Sequence, residues 1–406
     1  MMNQDVLKNS LIRTAAWFEN SGVMVPADGS WGVAERVLLT DGNTTKQKTF
    51  DAFPAWTSYD THHSIIEQRR ADCNFEVALL FLLMGEVLQE DKFRGTCENL
   101  LDFLYCRSGL LLRNDTFVAG YKAGVWQWSH IWWLPCVWWD DNGWVCTLQL
   151  KIARLRPDLD RHYSMTQWGL KLAHLMADAF LAACPADGDV PEAVEKWNGN
   201  LALPHWGSMM VMALAEAWRA EADPRFAEAI DRYHRYLLKN PDGFTTSELG
   251  YAVIGAVQSR ASRNDTLSLE VAECYGRKLL GAMAPETGNI AAQHYEAPVG
   301  EALADTIYTL NWAVLALQDL AEYGENKTEY HAAFEKLMRL LLKIQDNASE
   351  AWLNGCWRGM FDLNNGTWGG GDCFEGGASS VYTGWTNAPI AWAVVNELSG
   401  RTLAGL

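Results

Sequence analysis

Apolar residues recur along most of this chain at the three- and four-residue spacing of an α-helix, and strand-like alternation is rare. Two kinds of helical segment can be distinguished. Residues 71–88 and 305–323 are apolar on nearly every side, which predicts helices that are buried all round. Residues 223–240 and 327–344 instead have one apolar stripe and a charged outer face, which predicts helices at a surface.

The two kinds of segment alternate along the chain. Buried segments begin near residues 68, 127, 206, 247, 304 and 381, and amphipathic segments lie between them, at 92–106, 159–182, 223–239, 265–281 and 327–345. Six inner helices alternating with six outer ones is the pattern of an (α/α)6 toroid, an all-α fold. No Gly/Ser-rich or Pro-rich linker interrupts the chain, so we predict a single domain over residues 1–406.

Long connecting segments come before the predicted inner helices, at residues 21–66, 107–126, 184–205, 283–303 and 346–380. Loops of such length are uncommon in compact domains and are usually functional when they occur. In a toroid these loops meet at the end where the inner helices have their N-termini. We therefore expect the active-site rim at that end.

The composition narrows the class of ligand. The chain contains 20 Trp, and an indole ring offers a flat apolar face that packs against the C–H face of a sugar. Its 33 basic and 50 acidic residues give a formal charge of −17, which argues against nucleic acid and anionic membranes as partners. An oligosaccharide or polysaccharide is the predicted substrate.

The nine cysteines are scattered without a C-x-x-C pair, which indicates neither a disulfide framework nor a zinc site. No metal and no other cofactor is therefore expected. The first 20 residues contain no apolar secretory core, which predicts a cytoplasmic location, or a periplasmic one if a signal segment has been removed.

Carboxylates at the predicted inner-helix starts are the candidates for catalysis. Two carboxyl groups suffice for glycoside hydrolysis, because one protonates the leaving oxygen and the other activates water or attacks the anomeric carbon. We predict Glu375 and Glu296 for these roles, with Asp372 and Asp60 in reserve. Glu296 has aromatic and apolar neighbours, and such a setting suits a general acid because desolvation favours the neutral form.

Asp372 and Glu375 lie in the glycine-rich stretch GGGDCFEGGASSVYTGW, residues 369–385. One interpretation is a surface turn with solvated acids. The other is a loop that lines a pocket, where glycines allow the backbone to approach a ligand closely. The aromatic residues within and beside the stretch favour the pocket, since a solvated loop does not require them.

Other side chains near the same helix starts are candidates for substrate binding. Aromatic rings are predicted as sugar platforms: Trp128, Trp206, Tyr251, Tyr295, Tyr382 and Trp385. Polar partners for hydroxyl or carboxylate groups are His62, His63, His205, His294 and Asn387, with Glu67 as a weaker candidate base. Arg69 or Arg70 could hold a substrate carboxylate through two parallel hydrogen bonds, or the two could simply pair with Glu67 and Asp72.

The segments THHSIIEQRRADCNFE, NIAAQHYEAP, LNWAVLAL and GGDCFEGGASSVYTGWTNAPIAW resemble (α/α)6-toroid carbohydrate enzymes, most of all glycoside hydrolase family 154. This resemblance implies β-glucuronidase activity, with removal of a terminal glucuronic acid and with Arg69 or Arg70 binding its carboxylate. Four alternatives stay open. They are an unsaturated glucuronyl hydrolase, a polysaccharide lyase with a Tyr or His base, a sugar epimerase with paired His, and a non-catalytic glycan-binding protein.

Overall fold

The computed structural model describes residues 2–39, 56–58, 62–116, 120–131, 136–184, 188–190, 193–293, 300–370 and 375–406. Within these ranges the chain forms thirteen α-helices. In chain order they are α1 (Gln4–Asn20), α2 (Ala71–Val87), α3 (Asp91–Asp102), α4 (Trp139–Leu155), α5 (Pro157–Tyr163), α6 (Met165–Ala183), α7 (Pro204–Ala220), α8 (Pro224–Lys239), α9 (Thr246–Arg263), α10 (Thr266–Ala282), α11 (Leu310–Tyr323), α12 (Lys327–Ile344) and α13 (Ala388–Ser399).

Six of these helices close into a ring. Helices α2, α4, α7, α9, α11 and α13 each pack against the next, and α13 packs against α2. Helices α1, α3, α6, α8, α10 and α12 pack against the outside of that ring, one on each inner helix. The predicted (α/α)6 toroid is therefore confirmed, and α1 supplies the sixth outer helix, which the sequence pattern had not located.

The buried residues of the helices match the two kinds of helical segment predicted from the sequence. Every residue of the inner helix α2 from Ala71 to Gly85 is buried. The outer helix α8 buries a single stripe, made of Phe226, Ala229, Ile230, Tyr233, His234 and Leu237. Part of the tryptophan content serves this core, because seven indole side chains among the described residues are fully buried: Trp17, Trp126, Trp139, Trp144, Trp312, Trp357 and Trp392.

Local chemistry sets several helix starts. The Asp223 carboxylate accepts a hydrogen bond from the backbone N–H of Arg225 (2.8 Å), and Pro224 occupies the first turn of α8. Asp265 caps α10 in the same way through the N–H of Ser268 (2.8 Å). Such caps satisfy N–H groups that have no partner within the helix.

Three predicted inner helices begin later than expected. The sixth begins at Ala388 rather than near 381, after the π-helical turn Thr383–Asn387. The second begins at Trp139 rather than near 127, after Pro135, which is unfavourable inside a helix. The fifth begins at Leu310 rather than near 304, since residues 300–305 form a strand. The Asp305 carboxylate then accepts hydrogen bonds from the N–H groups of Ile307 and Tyr308, which makes a turn before the helix.

The connecting segments form two small antiparallel sheets that the sequence pattern did not predict. Their strands are β1 (Arg36–Leu39), β2 (Trp56–Ser58), β3 (His63–Ile66), β4 (Ala291–Ala292), β5 (Gly300–Asp305), β6 (Met360–Asp362), β7 (Thr367–Trp368) and β8 (Ser380–Tyr382). One sheet has the order β2-β3-β1-β8 and the other β4-β5-β6-β7. Strand β8 runs into a π-helical turn, Thr383–Asn387, that leads directly into α13. The sheets thus lie at the end of the ring where the inner helices begin.

The opposite end of the ring is closed by residues 403–406. Near the C-terminal ends of α4 and α7, the Lys151 ammonium contacts Glu216 (3.2 Å) and donates a hydrogen bond to the backbone oxygen of Leu403 (2.9 Å). The N–H of Ala404 donates to the Asp319 carboxylate on α11 (3.0 Å). Residues 403–406 therefore occupy the end of the ring that lies opposite the inner-helix N-termini.

Two features expected from composition can be compared with the described residues. None of the helices in these ranges is long and apolar enough to cross a membrane. The eight cysteines that the structure describes are all free thiols, in keeping with their scattered positions in the sequence.

Close packing between inner helices gives a first prediction. A Cβ atom on Gly143 of α4 would lie 2.7 Å from the backbone of Met209 on α7, so Gly143→Ala should destabilise the fold by about 1–3 kcal/mol. Urea unfolding followed by circular dichroism measures the change. Gly95→Ala on α3 is the matched control, because nothing lies within 4 Å of its Cβ position and the change should stabilise by about 0.5–1 kcal/mol. Equal effects at the two positions would contradict this packing argument.

Candidate active site

The starts of the inner helices bring charged and aromatic side chains from distant parts of the chain together. The residues at or just before these starts are Arg70 and Asp72 for α2, Asp140 and Asp141 for α4, His205 for α7, Glu248 for α9, Tyr308 for α11 and Trp385 for α13. Glu35 and Arg36 beside β1, and Glu375 before β8, join them through hydrogen bonds. The predicted convergence of chemistry at this end is therefore present in the structure.

Arg70 lies at the centre of one group. Its guanidinium binds both oxygens of Asp72, with Nε 3.1 Å from Oδ1 and Nη2 2.6 Å from Oδ2. The same Nη2 is 2.6 Å from Asp141 Oδ1, and Nη1 is 3.1 Å from Glu35 Oε1. One cation is thus shared by three carboxyl groups, all of them buried.

Burial and the neighbouring charges together raise the pKa of the Asp141 carboxyl. Burial raises the pKa of the Asp141 carboxyl, Arg70 opposes this, and the carboxylates of Asp72 and Asp140 raise it further. The pKa of Asp141 is raised well above the usual value of an aspartate, because the group is buried and several acids share a single guanidinium. This environment therefore favours the protonated form of Asp141, which is the form that a general acid requires.

Glu375 has the opposite setting. Its carboxylate accepts hydrogen bonds from the hydroxyl groups of Tyr308 (3.0 Å) and Tyr382, and from Arg36 Nη1 (3.3 Å). Burial alone would raise the pKa of Glu375, but Arg36 and the two hydroxyl groups outweigh it and lower the pKa below its ordinary value. The side chain is 14% exposed, so an ionised carboxylate is held at the edge of the solvent.

His205, on α7, contacts acidic residues on the two neighbouring inner helices, α4 and α9. Its Nε2 is 3.4 Å from the Asp140 carboxylate, its Nδ1 is 3.7 Å from Glu248, and its backbone N–H donates to Glu248 (2.7 Å). Burial lowers the pKa of the imidazole, but hydrogen bonds to Asp140 and Glu248 prevail and raise it to about 9. His205 is therefore an imidazolium at neutral pH.

Aromatic rings surround these charges. Trp206 stacks on the His205 ring at 3.9 Å, and Tyr251 lies on it at 5.4 Å. The Arg70 guanidinium is 5.8 Å from the Trp128 ring and 5.9 Å from the Trp385 ring. The site thus combines carboxyl groups with flat apolar faces, which is the combination that sugar binding uses.

Glu76 lies one helical turn below Asp72 and is fully buried. Both of its carboxyl oxygens lack a hydrogen-bond partner among the described residues. Burial raises the pKa of Glu76 well above its ordinary value, and the nearby Asp72 carboxylate adds to the effect. Burial therefore favours the neutral form of this carboxyl.

Two groups of side chains in the described ranges have metal-ligand atoms within 4.8 Å of one another. In the first, Asp72, Cys73 and Glu76 are all buried, but the Arg70 guanidinium already binds both Asp72 oxygens and provides the positive charge. In the second, at the surface, Arg225 lies 2.9 Å from His174 Nδ1 and donates hydrogen bonds to Asp223, beside Glu221. In each case an arginine stands where a cation would otherwise bind.

The structure brings together eight of the side chains that the sequence singled out: Arg70, Trp128, His205, Trp206, Tyr251, Glu375, Tyr382 and Trp385. Five others lie outside the described residues, namely Asp60, His294, Tyr295, Glu296 and Asp372. The predicted roles of those five stay predictions.

The remaining candidates have other surroundings. Arg69 pairs with Glu67 rather than with the Arg70 group, and His63 is buried against the Trp352 ring at 4.3 Å. His62 is exposed, in the segment before β3. Asn387 is buried, accepts a hydrogen bond from the N–H of Trp357 (2.8 Å) and donates to the backbone oxygens of Trp357 and Tyr382, so its amide holds the π-helical turn together.

Sequence reasoning missed Glu35, Arg36, Glu76, Asp140 and Asp141. A signal for the last two was present, because they are adjacent acids in WWDDNGW, in a segment that is otherwise apolar. All residues of α4 from Trp139 to Ala153 are buried. Charged residues are almost never fully buried without a partner, so acids in such a segment indicate a site.

Solved structures of carbohydrate enzymes are similar to this chain along its whole length. A D-mannose isomerase superposes with a TM-score of 0.63 at 11% identity, covering 97% of this chain and 98% of that one. An unsaturated glucuronyl hydrolase from Streptococcus agalactiae gives 0.60 at 11% identity, covering 100% and 94%. The inactive variant of the α-1,6-mannanase GH76A from Salegentibacter sp. HEL1_6, in complex with α-1,6-mannotriose, gives 0.57 at 10% identity, covering 97% and 98%.

These likenesses, at such low identity, establish the toroidal fold and leave the reaction open. No protein-family model and no curated protein matches the chain.

The environment of His205 gives a second prediction. Its pKa of about 9 means that the imidazolium persists through neutral pH, and the stability it contributes is complete below pH 6.5 and lost as pH rises through 9. A ¹⁵N NMR titration of the imidazole, assigned with the His205→Gln variant, should show deprotonation near pH 9. Deprotonation of His205 below pH 7 would contradict the ion pairs described here.

Proposed function

We propose that this protein is a glycoside hydrolase in which Asp141 is the general acid and Glu375 is the general base or nucleophile. The observation that carries the proposal is that one site drives two carboxyl groups in opposite directions, raising the pKa of Asp141 and lowering that of Glu375. Groups whose environments separate their pKa values in this way are the acid and the base of a reaction. Both belong to one network, because Arg70 joins Asp141 to Glu35 and Arg36 joins Glu35 to Glu375.

In the proposed reaction, Asp141 protonates the glycosidic oxygen as the bond to the anomeric carbon breaks. Glu375 then either removes a proton from an attacking water or forms a bond to the anomeric carbon. The hydroxyl groups of Tyr308 and Tyr382 and the Arg36 guanidinium hold Glu375 in one orientation. The sequence had assigned the second carboxyl to Glu296, which lies outside the described residues, whereas Asp141 has the required environment within them.

Two structural neighbours support a role for aspartates in catalysis on this fold. The GH76A mannanase was made inactive by changing two consecutive aspartates to asparagine. Asp140 and Asp141 are also consecutive, at the start of α4. A glucuronyl hydrolase structure with a bound uronide oligosaccharide likewise has one aspartate changed to asparagine.

For the sugar, we propose a terminal β-linked glucuronic acid. The family resemblance of the sequence supports this, and so do the glucuronyl hydrolases among the structural neighbours. Arg69 is the better candidate for binding the substrate carboxylate, since among the described residues it has one carboxylate partner, Glu67, and Arg70 has three. The protein is therefore proposed to act on glycans that end in a uronic acid.

A neutral sugar is the second candidate. The guanidinium groups of Arg36 and Arg70 are both bound to carboxylates of the protein itself. The Asp140 and Glu248 carboxylates similarly surround His205. Described acids outnumber described cations at the site, and this excess favours an uncharged substrate over an anionic one.

A third prediction tests the reaction. Wild type, Asp141→Asn and Glu375→Gln are assayed with aryl β-glucuronide, β-glucoside and β-galactoside and with an unsaturated uronide disaccharide. Wild type should release the aglycone from the glucuronide, and each variant should lose about 10²–10⁴-fold in kcat, because the amides cannot transfer a proton. The control Asp91→Asn removes a carboxylate that is 92% exposed on outer helix α3 and should keep full activity.

The outcomes separate the alternatives. Release from the glucoside or galactoside alone would select the neutral sugar. Release from the disaccharide alone would indicate an unsaturated glucuronyl hydrolase. Unchanged turnover in both site variants would overturn the acid–base assignment.

A fourth prediction tests the substrate charge. Arg69→Ala should raise KM for the glucuronide about 10- to 100-fold, since it removes a charge-assisted pair with the substrate carboxylate, and should leave a neutral glycoside unaffected. Arg94→Ala, on the outer helix α3, is the control for loss of a positive charge. Equal effects of Arg69→Ala on charged and neutral substrates would exclude Arg69 as the carboxylate-binding residue.

A further inference from the structure

Asp72 and Asp141 approach each other closely beneath Arg70. One nitrogen, Arg70 Nη2, lies 2.6 Å from Asp72 Oδ2 and 2.6 Å from Asp141 Oδ1. Binding to the same nitrogen holds one oxygen of each carboxyl group close to the other. Two carboxylates at such a separation repel strongly, whereas a carboxyl and a carboxylate can form a short hydrogen bond.

The surrounding charges do not allow both groups to ionise. On α2, the neighbours of the pair are Arg70, Cys73 and Glu76, and on α4 the neighbour is Asp140. Glu35 approaches from the segment before β1 and shares Arg70 with the pair, while Arg36 is bound to Glu35 and Glu375. His205 faces Asp140 from α7 and is already paired with Asp140 and Glu248.

Among the described residues, the cations near the pair are therefore fewer than the carboxyl groups that they contact. Asp72 and Asp141 are both buried, with side-chain exposures of 0% and 4%. A buried carboxylate without its own cation is too costly to persist, and such a group retains a proton instead.

Hydrogen bonds from Arg70 decide which of the two carries the charge. Asp72 takes two bonds from the guanidinium, through both of its oxygens, whereas Asp141 takes one. Paired bonds of this kind stabilise the ionised form of a carboxyl more strongly than a single bond. The proton therefore resides mainly on Asp141.

We propose that Asp72 and Asp141 share one proton beneath Arg70, and that Asp72 is the positioning residue that keeps Asp141 in its acid form. This proposal rests on the proposed function as far as the role of Asp141 in catalysis is concerned. When Asp141 gives its proton to the glycosidic oxygen, the electron pair of the breaking carbon–oxygen bond stays with that oxygen. Asp141 becomes a carboxylate beside Arg70, and repulsion from Asp72 favours its reprotonation by water.

The shared proton can be observed without any substrate. Infrared spectra of protein labelled with [4-¹³C]aspartate separate aspartic acid bands from those of Glu76 and other glutamates. Wild type at pH 7.5 should show the carbonyl band of a protonated, buried aspartic acid. That band should vanish in Asp141→Asn and also in Asp72→Asn, because without Asp72 the Arg70 charge is free to ionise Asp141. The control Asp91→Asn should retain it.

Two infrared results would overturn the proposal. The first is a wild-type spectrum without a protonated aspartic acid band, a result that needs no variant. The second is a band that disappears in Asp141→Asn but persists in Asp72→Asn, since Asp141 would then hold its proton through burial alone.

A kinetic measurement distinguishes a positioning role from a purely structural one. In Asp72→Asn, the basic limb of the pH profile of kcat/KM should move down by about one pH unit or more, because loss of a neighbouring negative charge lowers the pKa of Asp141. A structural role would lower kcat/KM at every pH and leave the midpoint in place. If no glycoside is hydrolysed but the infrared result holds, the proposed function fails and the shared proton stands.

Discussion

The site depends on the guanidinium group of Arg70. This one cation binds Glu35 from the segment before β1, Asp72 from α2 and Asp141 from α4, all within 3.1 Å. Since all three acids are buried, removing the cation would leave the Asp72 carboxylate without a described cationic partner, whereas Glu35 would keep its pairing with Arg36. The interaction therefore holds three distant segments together and at the same time sets which of the carboxyl groups can ionise.

The closed ring of inner helices makes this arrangement possible. Each inner helix contributes its first turn to the same end of the ring, and α13 packs against α2 to complete it. Residues 403–406 fill the other end through Lys151, Glu216 and Asp319. The groups of the candidate site thus collect at one end of the ring, residues 403–406 and their polar partners fill the other, and the apolar sides of the helices form the core.

Several parts of this architecture follow from local sequence patterns. Helix α2 is buried on every side, as its all-round apolar sequence predicts. Helix α8 buries a single stripe, as its amphipathic sequence predicts. Glu375, His205 and Trp385 could be placed near the site because they stand close to predicted inner-helix starts. The start of α4 was assigned twelve residues too early, and so Asp140 and Asp141 were expected inside a helix rather than at its first turn.

The sequence by itself determined the order of the helices, their inner or outer placement and the end at which the site lies, because periodicity and apolar content act over neighbouring residues. Only the tertiary structure decided which acids and cations meet. Glu35, Arg70, Asp141 and Glu375 are far apart along the chain and become neighbours when the ring closes. Their protonation depends on burial and on the charges a few ångströms away, and neither quantity is encoded in local periodicity.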